Sequence, residues 1–72
     1  MEAAEFDFLS YRTKLKELNQ RGNIVHTFTS DGYQITVYSL NSFYVELRRR
    51  ADKQRYDRIV ATDQQQFADI QL

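Results

Sequence analysis

The sequence predicts an α+β fold, with an N-terminal helix packed on a four-stranded antiparallel β-meander and a short C-terminal helix. Three observations lead there. Apolar residues recur with a helical period over 3–20, the period falls to two from residue 24 onward, and Asp31-Gly32 stands between two β-rich runs.

The helix over 3–20 rests on Phe8, Tyr11, Leu15 and Leu18, spaced 3, 4 and 3 apart, with Leu9 widening the stripe. Glu2, Glu5 and Asp7 crowd its start and Lys14, Lys16 and Arg21 lie towards its end, a polarity that suits the helix dipole. Gly22 is the natural stop, while the first residues offer no strong N-cap.

Strands follow over 24–29 and 33–39. With Asp31-Gly32 as the central turn residues, Phe28 faces Ile35, His26 faces Val37 and Ile24 faces Ser39. One face of this hairpin then collects Ile24, His26, Phe28, Tyr33, Ile35 and Val37. A third strand is expected over 43–50. A two-residue turn at Asn41-Ser42 would pair Val37 with Glu46. A three-residue loop pairs Val37 with Val45 and Ile35 with Leu47, keeps the apolar face continuous, and is the expected register. Asn41 or Ser42 takes the left-handed position there. A fourth strand over 55–61 sets Val45 against Ile59, Phe43 against Ala61 and Glu46 across from Arg58. Thr62 or Asp63 then caps a short helix over about 64–70.

Seventy-two residues make one domain with a thin core, because a chain of this size buries only about 60 to 65% of its unfolded surface. Without cysteine it has neither disulfides nor thiolate ligands, and one histidine does not make a metal site. A homodimer would add to so small a core. No apolar run reaches the ~18 residues of a membrane span, the acidic start is not a signal peptide, and the lack of cysteine fits the cytoplasm.

Ten basic residues balance ten acidic ones, which argues against a general polyanion binder. The basic charge is concentrated in "ELRRRADKQRYDR", residues 46–58, with six basic against three acidic residues. Strand alternation sends Arg49 to one face and Arg48 and Arg50 to the other. If the helix covers the Ile24/Phe28/Ile35/Val45/Leu47 face, the opposite face shows Val25, Thr27, Tyr38, Tyr44, Glu46, Arg48, Tyr56 and Arg58. Tyr38, Tyr44, Arg48, Arg50, Tyr56 and Arg58 are the candidate interaction residues, since Tyr and Arg are enriched at interfaces. His26 falls on the core side with no orienting acid or nucleophile beside it. A half-buried, hydrogen-bonded structural role suits it better than catalysis. The first-turn carboxylates have a sufficient reason to be there in the dipole. With only Gly22 and Gly32 the chain has no phosphate loop.

The stretch "DGYQITVYSLNSFYVELRRRADKQRYDRIVA", residues 31–61, resembles the strand, strand, "FYVEV", turn, "IV" pattern of small bacterial α+β proteins with an N-terminal helix. The resemblance implies that architecture and no activity. The sequence therefore favours a non-enzymatic interaction module or small subunit. No catalytic residue, metal or cofactor is expected, and the partner is a second copy or another protein. The alternative is a nucleic-acid-binding accessory protein using the 48–58 hairpin and the Tyr face.

Overall fold

The computed structural model describes residues 1–62. The expected helix over 64–70 lies outside the described residues. Two helices, α1 (Ala3–Asp7) and α2 (Tyr11–Arg21), precede four strands, β1 (Asn23–Ser30), β2 (Tyr33–Leu40), β3 (Phe43–Arg50) and β4 (Arg58–Thr62). The strands form one antiparallel sheet in the order β1-β2-β3-β4. The α+β architecture with helix first and meander after is as expected. No helix among the described residues is long and apolar enough to cross a membrane.

The expected single helix is two. α1 ends at Asp7 with Phe8 as its C-cap, and Ser10 starts a new helix as an N-cap whose Oγ accepts the Thr13 N–H at 3.2 Å. Ser10 Oγ–H also donates to Thr13 Oγ1 at 2.9 Å, which holds the cap in place. The break changes which aromatic residue is buried. Phe8, expected in the stripe, is 91% exposed, whereas Phe6 is fully buried with its ring centroid 5.9 Å from that of Phe43. Tyr11, Leu15 and Leu18 keep their places, with Leu18 buried and the other two packed on the core.

Gly22 ends α2 as expected, with its N–H donating to the Leu18 carbonyl at 2.9 Å. Its φ of −81° is ordinary, so handedness is not why glycine stands here. A Cβ would lie 2.8 Å from the Leu18 carbonyl oxygen and 3.0 Å from the Tyr38 ring. The position is set first by crowding against the Leu18 backbone in the last turn of α2 and then by the Tyr38 ring.

The first hairpin matches the sequence over most of its length. Asp31 and Gly32 both take positive φ, Phe28 pairs with Ile35 and His26 pairs with Val37. A bulge between Ile24 and His26 then moves Ile24 opposite Tyr38.

The second hairpin corrects the expected register. Leu40 pairs with Phe43, Tyr38 with Val45, Thr36 with Leu47 and Val37 with Glu46. The turn is the two-residue one at Asn41-Ser42, with Asn41 at φ 55° and its side chain donating to the Met1 carbonyl at 3.2 Å. The three-residue loop would have taken Leu40 out of the ladder. The observed turn instead buries Leu40 and Phe43 side by side, each contributing roughly 1.5–3 kcal/mol against exposure.

The fourth strand is shorter than expected and its pairing slides by two residues. Val45 pairs with Ala61, Glu46 with Val60, Leu47 with Ile59 and Arg48 with Arg58. A slide of two keeps every side chain on its expected face. The stretch before β4 is held by the first helix layer instead. The Tyr56 N–H donates to Tyr11 Oη at 3.0 Å, and the Arg55 guanidinium lies 4.0 Å from the Tyr11 ring centroid.

Paired residues share a face, so these registers decide the core. Leu40, Phe43, Val45, Leu47, Ile59 and Ala61 line the helix side and close on Phe6 and Leu18. The hairpin face expected under the helix, with Phe28, Ile35 and Val37, is the one turned away from it.

Candidate functional site

The face away from the helices, here the second face, is built by alternation along β1 to β4. From the registers it carries His26, Phe28, Tyr33, Ile35 and Val37, then Tyr44, Glu46, Arg48 and Arg50, then Arg58 and Val60. No described helix packs on it. Val37 at its centre is nevertheless buried, and Phe28, Tyr33, Ile35 and Tyr44 are half-buried.

The arginines of this face are each tied to a carboxylate. Arg48 Nε donates to Asp57 Oδ1 at 3.2 Å, Arg50 Nε lies 3.5 Å from Asp52 Oδ1, and Arg58 Nε lies 3.8 Å from Glu46 Oε2. The sequence paired Glu46 directly with Arg58; the contact exists across the diagonal, because Glu46 is opposite Val60. The direct Arg48 and Arg58 pairing sets like charges together, and Asp57 and Glu46 relieve it. Arg48 also lies over the Tyr33 ring, 4.6 Å from its centroid. Such a stacked guanidinium with a carboxylate on its edge is held in one orientation.

The remaining basic residues of 46–58 include two more arginines with internal roles. Arg49 points to the helix side, where it donates to the Lys53 carbonyl at 2.8 Å and to Gln34 Oε1. It thereby closes the turn after β3. Arg55 covers Tyr11. The stretch that looked like one basic patch is a hairpin end laced by its own arginines.

The structure divides the six candidate residues. Tyr44, Arg48, Arg50 and Arg58 share the second face as expected. Tyr38 and Tyr56 do not, since the Asn41-Ser42 turn puts Tyr38 opposite Val45 and the loop before β4 leans Tyr56 onto the helices. With Arg12, Lys16 and Asn19 they border a groove of about 510 Å3 beside α2. Burial raises the Tyr38 phenol above its usual pKa, and the neighbouring Tyr56 adds in the same sense.

His26 also moves. It is exposed on the second face, not half-buried in the core. Its contact is the Phe28 ring, with centroids 5.1 Å apart. Its imidazole makes no hydrogen bond to the described residues. The residues that sequence reasoning left out of the site are Phe28, Tyr33 and Ile35. The signal for them was the two-residue Asn41-Ser42 turn, which sets Ile35 opposite Arg48 and Tyr33 opposite Arg50, with Phe28 across from Ile35 on the same face.

No protein-family model, no curated protein and no solved structure matches the chain. Any functional assignment therefore rests on this geometry.

Proposed function

We propose that the protein is a non-enzymatic interaction module, a small subunit that binds another protein through the second face of its sheet. The observation that carries this is the composition of that face. Phe28, Tyr33, Ile35 and Tyr44 share the face with three arginines, of which Arg48 is oriented by Asp57 and the Tyr33 ring, and no described helix lies over them. Aromatic and arginine side chains held rigid before binding lose little entropy when a partner arrives. Charge favours a protein over a polyanion. The three arginines are matched by Glu46, Asp52 and Asp57, so the face offers orientation without a net positive field.

A photo-reactive residue at Ile35 or Arg58 tests the proposal in cells of the source organism. The expected result is one discrete protein adduct that is lost when Arg48→Glu and Arg50→Glu are added. The same probe at Lys14 on α2 is expected to yield no such adduct. Absence of an adduct from the second face overturns the proposal. So does tight binding of a fluorescent single-stranded DNA or RNA with a steep salt slope, which would move the function to nucleic acid.

A further inference from the structure

The two edges of the sheet are treated differently. On β4, α1 packs against the strand and Asp7 Oδ1 accepts the Ala61 N–H at 3.0 Å. That edge is covered. On β1, the strand partner among the described residues is β2 alone, and no described side chain hydrogen-bonds its outer groups. β1 is eight residues long and contains no Lys, Arg, Asp, Glu or Pro. Exposed edge strands ordinarily carry such residues to prevent pairing. Here the single irregularity is the bulge at one end.

The ladder states which groups are unpaired. Ser30 and Tyr33 flank a two-residue turn, so they exchange hydrogen bonds, and alternate residues back along β1 do the same. Phe28 and His26 thus bond β2, while Thr27 and Thr29 point their N–H and C=O outward. The same parity carried across the sheet leaves the Ala61 N–H outward on β4, where Asp7 meets it.

We propose that β1 is a self-association edge, and that two copies of this chain join antiparallel about a two-fold axis at Phe28 to form one eight-stranded sheet. An antiparallel edge is complementary to itself, so no second surface is required. The axis at Phe28 pairs Thr27 with Thr29 of the partner subunit, and the reverse, exchanging four backbone hydrogen bonds. An axis at Thr27 would draw the bulge beside Val25 into the ladder and lose two of them. The Phe28 axis also brings the two Phe28 rings together across a close, non-hydrogen-bonded pair on the second face. The strand brings no like charges to the contact, and the chain is neutral overall. This proposal does not depend on the second face binding another protein. It would, however, make that face continuous across both subunits.

Sedimentation equilibrium combined with amide hydrogen exchange tests it. The wild-type protein is expected to sediment as two chains. The Thr27 and Thr29 amides should gain protection as concentration rises, whereas the Phe28 amide is protected throughout. Thr27→Lys with Thr29→Lys places four positive charges at the junction and should weaken the dimer by about tenfold or more. Phe28→Cys, in a chain with no other cysteine, should form a disulfide dimer on mild oxidation, and Lys14→Cys should not. A wild-type monomer at all concentrations overturns the proposal. A dimer whose Thr27 and Thr29 amides stay unprotected overturns it too, even where the double lysine variant fails to fold. Neither result bears on the photo-crosslinking outcome, so the two proposals fail separately.

Discussion

Phe6 and Phe8 lie two residues apart in the chain and at opposite extremes of burial. The difference is the kink at Ser10, which turns α1 so that Phe6 meets Phe43. Truncation should expose it. Phe6→Ala is expected to cost about 3–5 kcal/mol in urea unfolding, enough to unfold much of so small a protein. Phe8→Ala should stay within about 0.5 kcal/mol of wild type. Tyr38 carries a second residue-level expectation. Its phenol is raised above the ordinary tyrosine value, so the folded state holds that proton more tightly than the unfolded chain. Stability associated with Tyr38 is therefore fully present below pH ~10 and is lost as pH rises through the folded value. The thermal midpoint should fall above pH ~10 by less in Tyr38→Phe than in wild type, as read by circular dichroism.

At the scale of elements, caps and turns decide more than propensity does. α2 begins where it does because the Ser10 hydroxyl satisfies an orphan N–H of its first turn. Ser10→Ala should lower stability by about 1 kcal/mol, seen as a lower urea midpoint with an unchanged slope. The stripe of Tyr11, Leu15 and Leu18 was legible because helical period is a local property. The extension back to Phe8 was not, since one serine outweighed a continuing apolar pattern. The strands were legible for the same local reason, and so was the Asp31-Gly32 turn, whose residues tolerate positive φ. The Asn41-Ser42 turn was not legible because β2 is apolar on both faces. Ile35 and Val37 on one side compete with Tyr38 and Leu40 on the other, so continuity of apolar residues favours no single register. Burial of Leu40 against Phe43 breaks the tie.

For the whole molecule, the layer arrangement governs both sites and edges. The helices cover β4 and the middle of the sheet, and β1 makes its substantial contacts with β2. Asp7 is the residue that closes the β4 edge. Asp7→Leu should leave the Ala61 N–H without its acceptor, at a cost of about 1–3 kcal/mol. Faster exchange of the Ala61 amide and new concentration-dependent light scattering are the expected observations. Four of the six candidate residues were legible from the sequence, because Tyr44, Arg48 and Arg50 alternate within one strand. Arg58 keeps its face under a slide of two. Tyr38 and Tyr56 were not legible, because their faces depend on a turn and a loop that answer to distant contacts.

What the sequence by itself determined is what neighbours along the chain impose: the helical stripe, the four strands, the Asp-Gly turn and the alternation that gathers the arginines. Only the tertiary structure decided which side of the sheet the helices cover, where the second hairpin turns and which edge α1 and Asp7 close. Those outcomes depend on burying Phe6, Leu18, Leu40 and Phe43 together. Phe6, Leu18 and the Leu40–Phe43 pair lie far apart in the chain, so the free energy that selects their arrangement exists only once they meet.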